Sequence, residues 1–253
     1  MIEQCKTLAL DFDGLICDSL NECILVSWNG YHNKDISDFS AEGLASVPSW
    51  FAERFRHCRN FAKHLGHFSI PLFDRNTQID SQDDYEKVYR SLDTDLVETF
   101  VEKVNNYRNL VRQHRETEWL AHHNLFPGMK EFLLELNVPL YIVTAKDRAS
   151  VLKILGNEGI KIEAERVYAE QRRKIRALET IQELEGIAKH EVVFLDDNVL
   201  NAIDLKKSGF NSYWATWGYK ASGHTNLAQV NSVIGLSLEE FLASKFNILQ
   251  EVV

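Results

Sequence analysis

The chain has 253 residues, 45% apolar and 26% charged, a globular composition long enough for one large domain or two smaller ones. Its formal net charge of −9 argues against a nucleic-acid coat or an anionic membrane surface as partner. No run of about 18 apolar residues is present to cross a bilayer.

In chain order, the segment MIEQCKTLALDFDG carries acidic residues and leads straight into a strand, which is unlike a signal peptide. Residues 1–19 read as the first strand and its exit loop. Residues 20–119 read as a helical insertion. From Asp83 to Glu118 the apolar residues Tyr85, Val88, Tyr89, Leu92, Leu96, Phe100, Val101, Val104 and Tyr107 recur at steps of three and four, which predicts one long helical stretch. After Leu125 strands and helices alternate. Pro127-Gly128 opens a helix from Met129 to Leu134, and Val138 to Val143 is an apolar strand ending at Thr144. Arg148 to Leu155 is a helix stopped by Gly156, and Arg166 to Tyr168 a short strand. Lys174 to Leu184 is an amphipathic helix with Ala177, Leu178, Ile181 and Leu184 on one face. Val192 to Leu195 is a buried strand ending in Asp196-Asp197, and Ala202 to Lys207 a helix closed by Gly209. Strands at Ser212 to Ala215 and Ser232 to Ile234 and a helix from Leu236 to Phe246 complete the chain. This alternation predicts an α/β fold with a doubly wound parallel sheet. The cysteines Cys5, Cys17, Cys23 and Cys58 form no CxxC pair and no zinc-spaced cluster, so they read as reduced thiols of a cytoplasmic protein.

The chemistry concentrates at three strand ends. The runs TLAL, LYIV and VVFL end in Asp11, Thr144 and Asp196-Asp197. Asp13-Gly14 alone would be an ordinary turn, but Asp11 lies directly against the apolar run. Burying two carboxylates two residues apart calls for a cation or a catalytic task. If the three strands are parallel neighbours, all these groups meet at one sheet edge, where such sheets bind ligands.

DFDGLICDS resembles the first motif, DxDGxxxDS, of the haloacid dehalogenase-like hydrolase superfamily. YIVTAKD is similar to the second motif, with Thr144 as its hydroxyl. Lys174 in RRKIRALETI, with Leu178 four residues on, resembles the third. Arg172 and Arg173 crowd the choice, and Lys146 is a rival. FLDDNVLNAIDLKKSGF resembles the fourth, placing Asp197 at a metal ligand, Asp196 beside it and Asn201 where the family carries a further Asp.

The resemblance implies a Rossmann-like core over 1–19 and 120–253 and an all-α cap domain over 20–119, as in phosphoglycolate phosphatase and β-phosphoglucomutase relatives. It implies a magnesium-dependent phosphatase acting on a small phosphorylated metabolite through an aspartyl-phosphate. A phosphosugar mutase or an idle regulatory protein on the same scaffold is the alternative. The implied catalytic residues are Asp11 as nucleophile and Asp13 as general acid and base. Thr144 and Lys174 would bind the substrate phosphate, and Asp11, Asp13, Asp196 and Asp197 would hold Mg2+. No nucleic-acid or membrane partner is expected, and the chain is expected as a monomer or homodimer. Lys34, Trp50, Arg54, Arg56, Arg59 and Lys63 lie in the insertion, where a solvated basic face explains them as well as a substrate does.

Overall fold

The structure is a computed structural model that describes residues 5–244. Its chain divides into two compact units, one of Met1–Asp18 with Leu125–Val253 and the other of Ser19–Asn124.

The first unit is built on six parallel strands: β1 (Thr7–Leu10), β2 (Leu140–Val143), β3 (Val167–Tyr168), β4 (Val192–Asp196), β5 (Asn211–Ala215) and β6 (Ile234–Leu236). Their order across the sheet is β3-β2-β1-β4-β5-β6, every neighbouring pair running parallel. Parallel neighbours need crossovers, and the helices that the alternating sequence predicts supply them. The chain works outward from β1 to β3, then returns to lay β4 on the other side of β1. The strand order therefore reverses at β1, and a crevice opens there at the carboxyl ends. The register aligns Leu10 with Ile142 on one side and with Leu195 on the other, which brings the three polar strand ends level.

The central strands are buried on both faces, and the pleat sends alternate side chains to opposite sides of the sheet. Ala9, Tyr141, Val143 and Phe194 share one cluster with Ala177, Leu178 and Ile181 of the helix Ile175–Glu185. The predicted apolar face of that helix extended to Leu184, but Leu184 is 68% exposed, beyond the sheet's reach. Three boundaries also depart from the sequence reading. The helix after β2 runs Arg148–Asn157, through Gly156, and ends before Gly159 at φ 77°. The last strand lies at Ile234–Leu236 and not at Ser232, because Ser232 adopts φ 56° in a turn. The final helix is Leu238–Leu242, begun by a Ser237/Glu240 capping box, and the predicted continuation to Phe246 runs past the described residues.

The second unit is helical: α1 (Leu20–Tyr31), α2 (Ala41–Ser46), α3 (Ser49–Arg59), α4 (Ile70–Phe73), α5 (Gln82–Ser91), α6 (Thr94–His114) and α7 (Glu116–Leu120). The predicted continuous stretch from Asp83 to Glu118 is three helices. Leu92 turns to an extended ψ of 146° and Asp93 caps α6 by accepting from the Leu96 N–H, so the apolar periodicity carries across a break that the capping residue enforces. The expected boundary at 119/120 lies five residues short of the observed one. The chain's last turn here is tied inward: Trp119 is buried and its Nε1 donates to Glu22 at 3.4 Å. Glu22 is fully buried and accepts two bonds from Arg108, at 2.6 Å and 3.2 Å.

Candidate active site

β1 delivers Asp11 to the crevice, and the chain then turns back at once. The Phe12 carbonyl accepts from Leu15, Ile16 and Cys17, and Gly14 N–H bonds the Cys17 carbonyl. Gly14 takes φ 88°, a conformation that suits a residue without a Cβ. A Cβ there would also stand 2.3 Å from an Asp197 oxygen. The Asp-x-Asp-Gly run is thus a turn packed against the acidic end of β4.

Asp196 and Asp197 are both buried. Asp196 has each oxygen engaged: Oδ1 accepts from the Asn198 N–H at 2.8 Å, and Oδ2 accepts from Lys174 at 2.6 Å and Asn201 at 2.9 Å. Burial and the Asp11 charge raise the proton affinity of Asp196, and Lys174 and the Asn198 amide oppose them. Asp197 is held at its backbone by Trp214 Nε1, 2.9 Å from its carbonyl, and at its side chain by the Tyr219 N–H, 2.9 Å from Oδ2.

Lys174 is 5% exposed and sits at the N-cap of the helix Ile175–Glu185. Its Nζ lies 2.9 Å from Asp11 and 2.6 Å from Asp196. Burial disfavours its ammonium, but Asp11 and Asp196 more than offset that and leave its pKa raised. Arg172 and Arg173 are exposed, so the basic run presents one buried cation and two solvated ones. Thr144, 2% exposed, receives the Lys146 N–H on its hydroxyl oxygen at 3.2 Å. Lys146 itself reaches Asp13, with its Nζ 3.2 Å and 3.3 Å from the two oxygens.

One carboxylate oxygen from each of Asp11, Asp196 and Asp197 lies within 4.8 Å of the others. Oxygen donors so close repel one another, and Lys174 neutralises only part of their charge. An all-carboxylate set of this kind suits a hard divalent cation. The structure brings together Asp11, Asp196, Asp197 and Lys174, and separately joins Asp13 to Lys146. Sequence reasoning passed over Asn198, Trp214 and Tyr219 as supports of the acidic pair. Asn198 follows Asp197 directly and is the N-cap of the next helix, a signal that was open to reading. The basic residues of the helical unit are largely spent locally: Arg54 bonds the Thr77 carbonyl and Asp74, Lys63 pairs with Glu86, and Arg59 lies over the Phe68 ring. All four cysteines are buried thiols. Among the described residues no helix is long and apolar enough to cross a membrane.

A switch-point crevice lined by carboxylates and a buried lysine is where a parallel α/β sheet carries the active site of an enzyme. Residues 5–209 match the family model described as haloacid dehalogenase-like hydrolase, and the chain belongs to that family. Solved structures agree in fold. A haloacid dehalogenase-like family hydrolase from Streptococcus pneumoniae is 17% identical, with a TM-score of 0.54 over 94% of this chain and 96% of its own. A protein described as a predicted phosphoglycolate phosphatase from Haemophilus somnus is 18% identical, with a TM-score of 0.57 over 93% and 95%. One described as a predicted phosphatase from Clostridium acetobutylicum is 15% identical, with a TM-score of 0.58 over 95% and 97%. No curated protein matches the sequence.

Proposed function

We propose that this hydrolase is a magnesium-dependent phosphatase of a small phosphorylated metabolite, and that it works through a phosphorylated Asp11. The observation that carries this reading is the convergence of Asp11, Asp196, Asp197 and Lys174 at the strand-order reversal. Asp11 attacks phosphorus, forming a carboxyl–phosphorus bond as the bond to the leaving oxygen breaks. Asp13 gives its proton to that oxygen. It then takes a proton from the water that attacks phosphorus, which releases phosphate and restores Asp11. Thr144 accepts from Lys146 on its oxygen, so its O–H is left to donate to the phosphoryl group. Lys174 supplies positive charge beside the attacking carboxylate.

Asp11, Asp197 and the Asp13 backbone carbonyl would hold Mg2+. When bound, the ion offsets the repulsion between a carboxylate nucleophile and an anionic ester. Asp196 already accepts from Lys174, Asn201 and the Asn198 N–H, so we assign it chiefly to anchoring Lys174, with an oxygen still close to the metal position. The Ser19–Asn124 unit enters the chain directly after the first motif, which supports reading it as the cap that selects the leaving group.

A phosphate-release screen over sugar phosphates, phosphoglycolate, nucleoside monophosphates and p-nitrophenyl phosphate, with magnesium and with a chelator, tests the reading. Turnover is expected with magnesium only, and Asp11→Asn should reduce it to background. Turnover that persists in Asp11→Asn, or isomerisation of a sugar phosphate without phosphate release, would contradict it.

A further inference from the structure

Lys146 is a second buried ammonium at the carboxyl edge, 8% exposed, and the scheme above gives its side chain no task. Its Nζ lies about equally close to both Asp13 oxygens, an ion pair that holds that carboxylate in place. The loop that carries it is held from behind. The Lys146 carbonyl accepts from Glu170 N–H at 3.1 Å, and the Thr144 carbonyl accepts from Gln171 N–H at 2.8 Å. Glu170 makes its bond at φ 58°, a left-handed conformation costly for a residue with a side chain and retained where the surroundings demand it. An ammonium so buried also requires an anion in contact. The two lysines divide the acids between them: Lys174 takes Asp11 and Asp196, and Lys146 takes Asp13.

We propose that Lys146 is a positioning residue for Asp13, aiming its carboxylate for proton exchange with the leaving oxygen and then with water. The proposal rests on the reading of Asp13 as the proton-transferring group. Lys146 acts through Asp13 and does not hold the phosphate.

The test uses the full chain with magnesium. Wild type, Asp11→Asn and Asp13→Asn come first, since loss of turnover in both variants upholds the underlying reading. Lys146→Met should then lower kcat by about ten- to a hundredfold on the best alkyl phosphate of the screen, part of what general acid–base catalysis supplies. The loss should be smaller on p-nitrophenyl phosphate, whose leaving group departs without a proton. Inhibition by inorganic phosphate should change by less than about twofold, and Lys146→Arg should recover most of the activity. Combined with Asp13→Asn, the Lys146 change should add no further loss.

Phosphate inhibition weakened by about tenfold or more, or losses that add, would overturn the proposal while leaving the phosphatase reading intact. Wild-type turnover in Asp13→Asn would remove the proton-transfer role of Asp13 and with it the proposal for Lys146, again leaving the phosphatase reading intact. Should Lys146→Met not fold, Lys146→Gln is read in the same assays with the same outcomes.

Discussion

Asp197 is gripped at its carbonyl by Trp214 and at its carboxylate by the Tyr219 amide, and the intervening Gly218 is what lets that loop in. A Cβ on Gly218 would lie 2.2 Å from the Gly14 carbonyl and 2.4 Å from Asp197 Cβ. Neither neighbour can rotate aside, so Gly218→Ala must shift the loop and draw the Tyr219 N–H away from Asp197. Stability should fall by about 1–3 kcal/mol in urea unfolding. Magnesium affinity, read by titration calorimetry, should weaken by about tenfold, the effect of losing a bond that orients a metal ligand. Unchanged affinity would mean that the Tyr219 amide does not aim Asp197. Asp11, Asp196, Asp197 and Lys174 were legible in the sequence because each sits beside an apolar run or opens a helix. The bond from Lys146 to Asp13 was not, because it joins residues 133 apart through the register of two strands. The same holds for the Trp214 and Tyr219 supports, which nothing local marks.

At the scale of elements, the sequence placed strands well where an apolar run ends in a polar group, as in β1, β2 and β4. It placed helix ends poorly where capping competes with periodicity, as at Leu92–Asp93. Within the helical unit α1 and α6 are joined by the pair of buried Glu22 and partly buried Arg108. Arg108→Met strands a buried carboxylate and should cost about 3–5 kcal/mol in thermal or urea unfolding. Glu22→Leu together with Arg108→Met should cost less than Arg108→Met alone, since no charge is then left buried. A double variant less stable than the single would refute this. Asp74 ties the loop after α4. Burial raises its carboxyl pKa, but the Thr77 hydroxyl, the Thr77 and Asn76 amides and Arg54 outweigh burial, so the value lies below the ordinary one. A pKa lowered by folding stabilises fully above the unfolded value and loses that contribution as pH falls through the folded one. Asp74→Asn should therefore lower the unfolding midpoint at about pH 6 and converge on wild type near about pH 2. A difference that persists or grows in acid would contradict the assignment.

For the whole molecule, the strand order β3-β2-β1-β4-β5-β6 turns three separate strand endings into one site. The alternation of strands and helices predicted a doubly wound sheet, and the sheet is wholly parallel as that alternation requires. The order itself was legible only through the chemistry, because Asp11, Thr144 and Asp196-Asp197 make sense together when their strands are neighbours. A net charge of −9 has to be overcome locally for an anionic substrate to enter, and buried Lys174, beside Asp11, is placed to contribute to that. The central claim is that phosphorus passes through Asp11. Acid quenching during turnover, borohydride reduction and peptide mass spectrometry test it directly, since reduction converts an acyl-phosphorylated aspartate to homoserine. Homoserine is expected at position 11 during turnover and not without substrate. Phosphate release with position 11 unmodified, or with the change at another carboxylate, would contradict it.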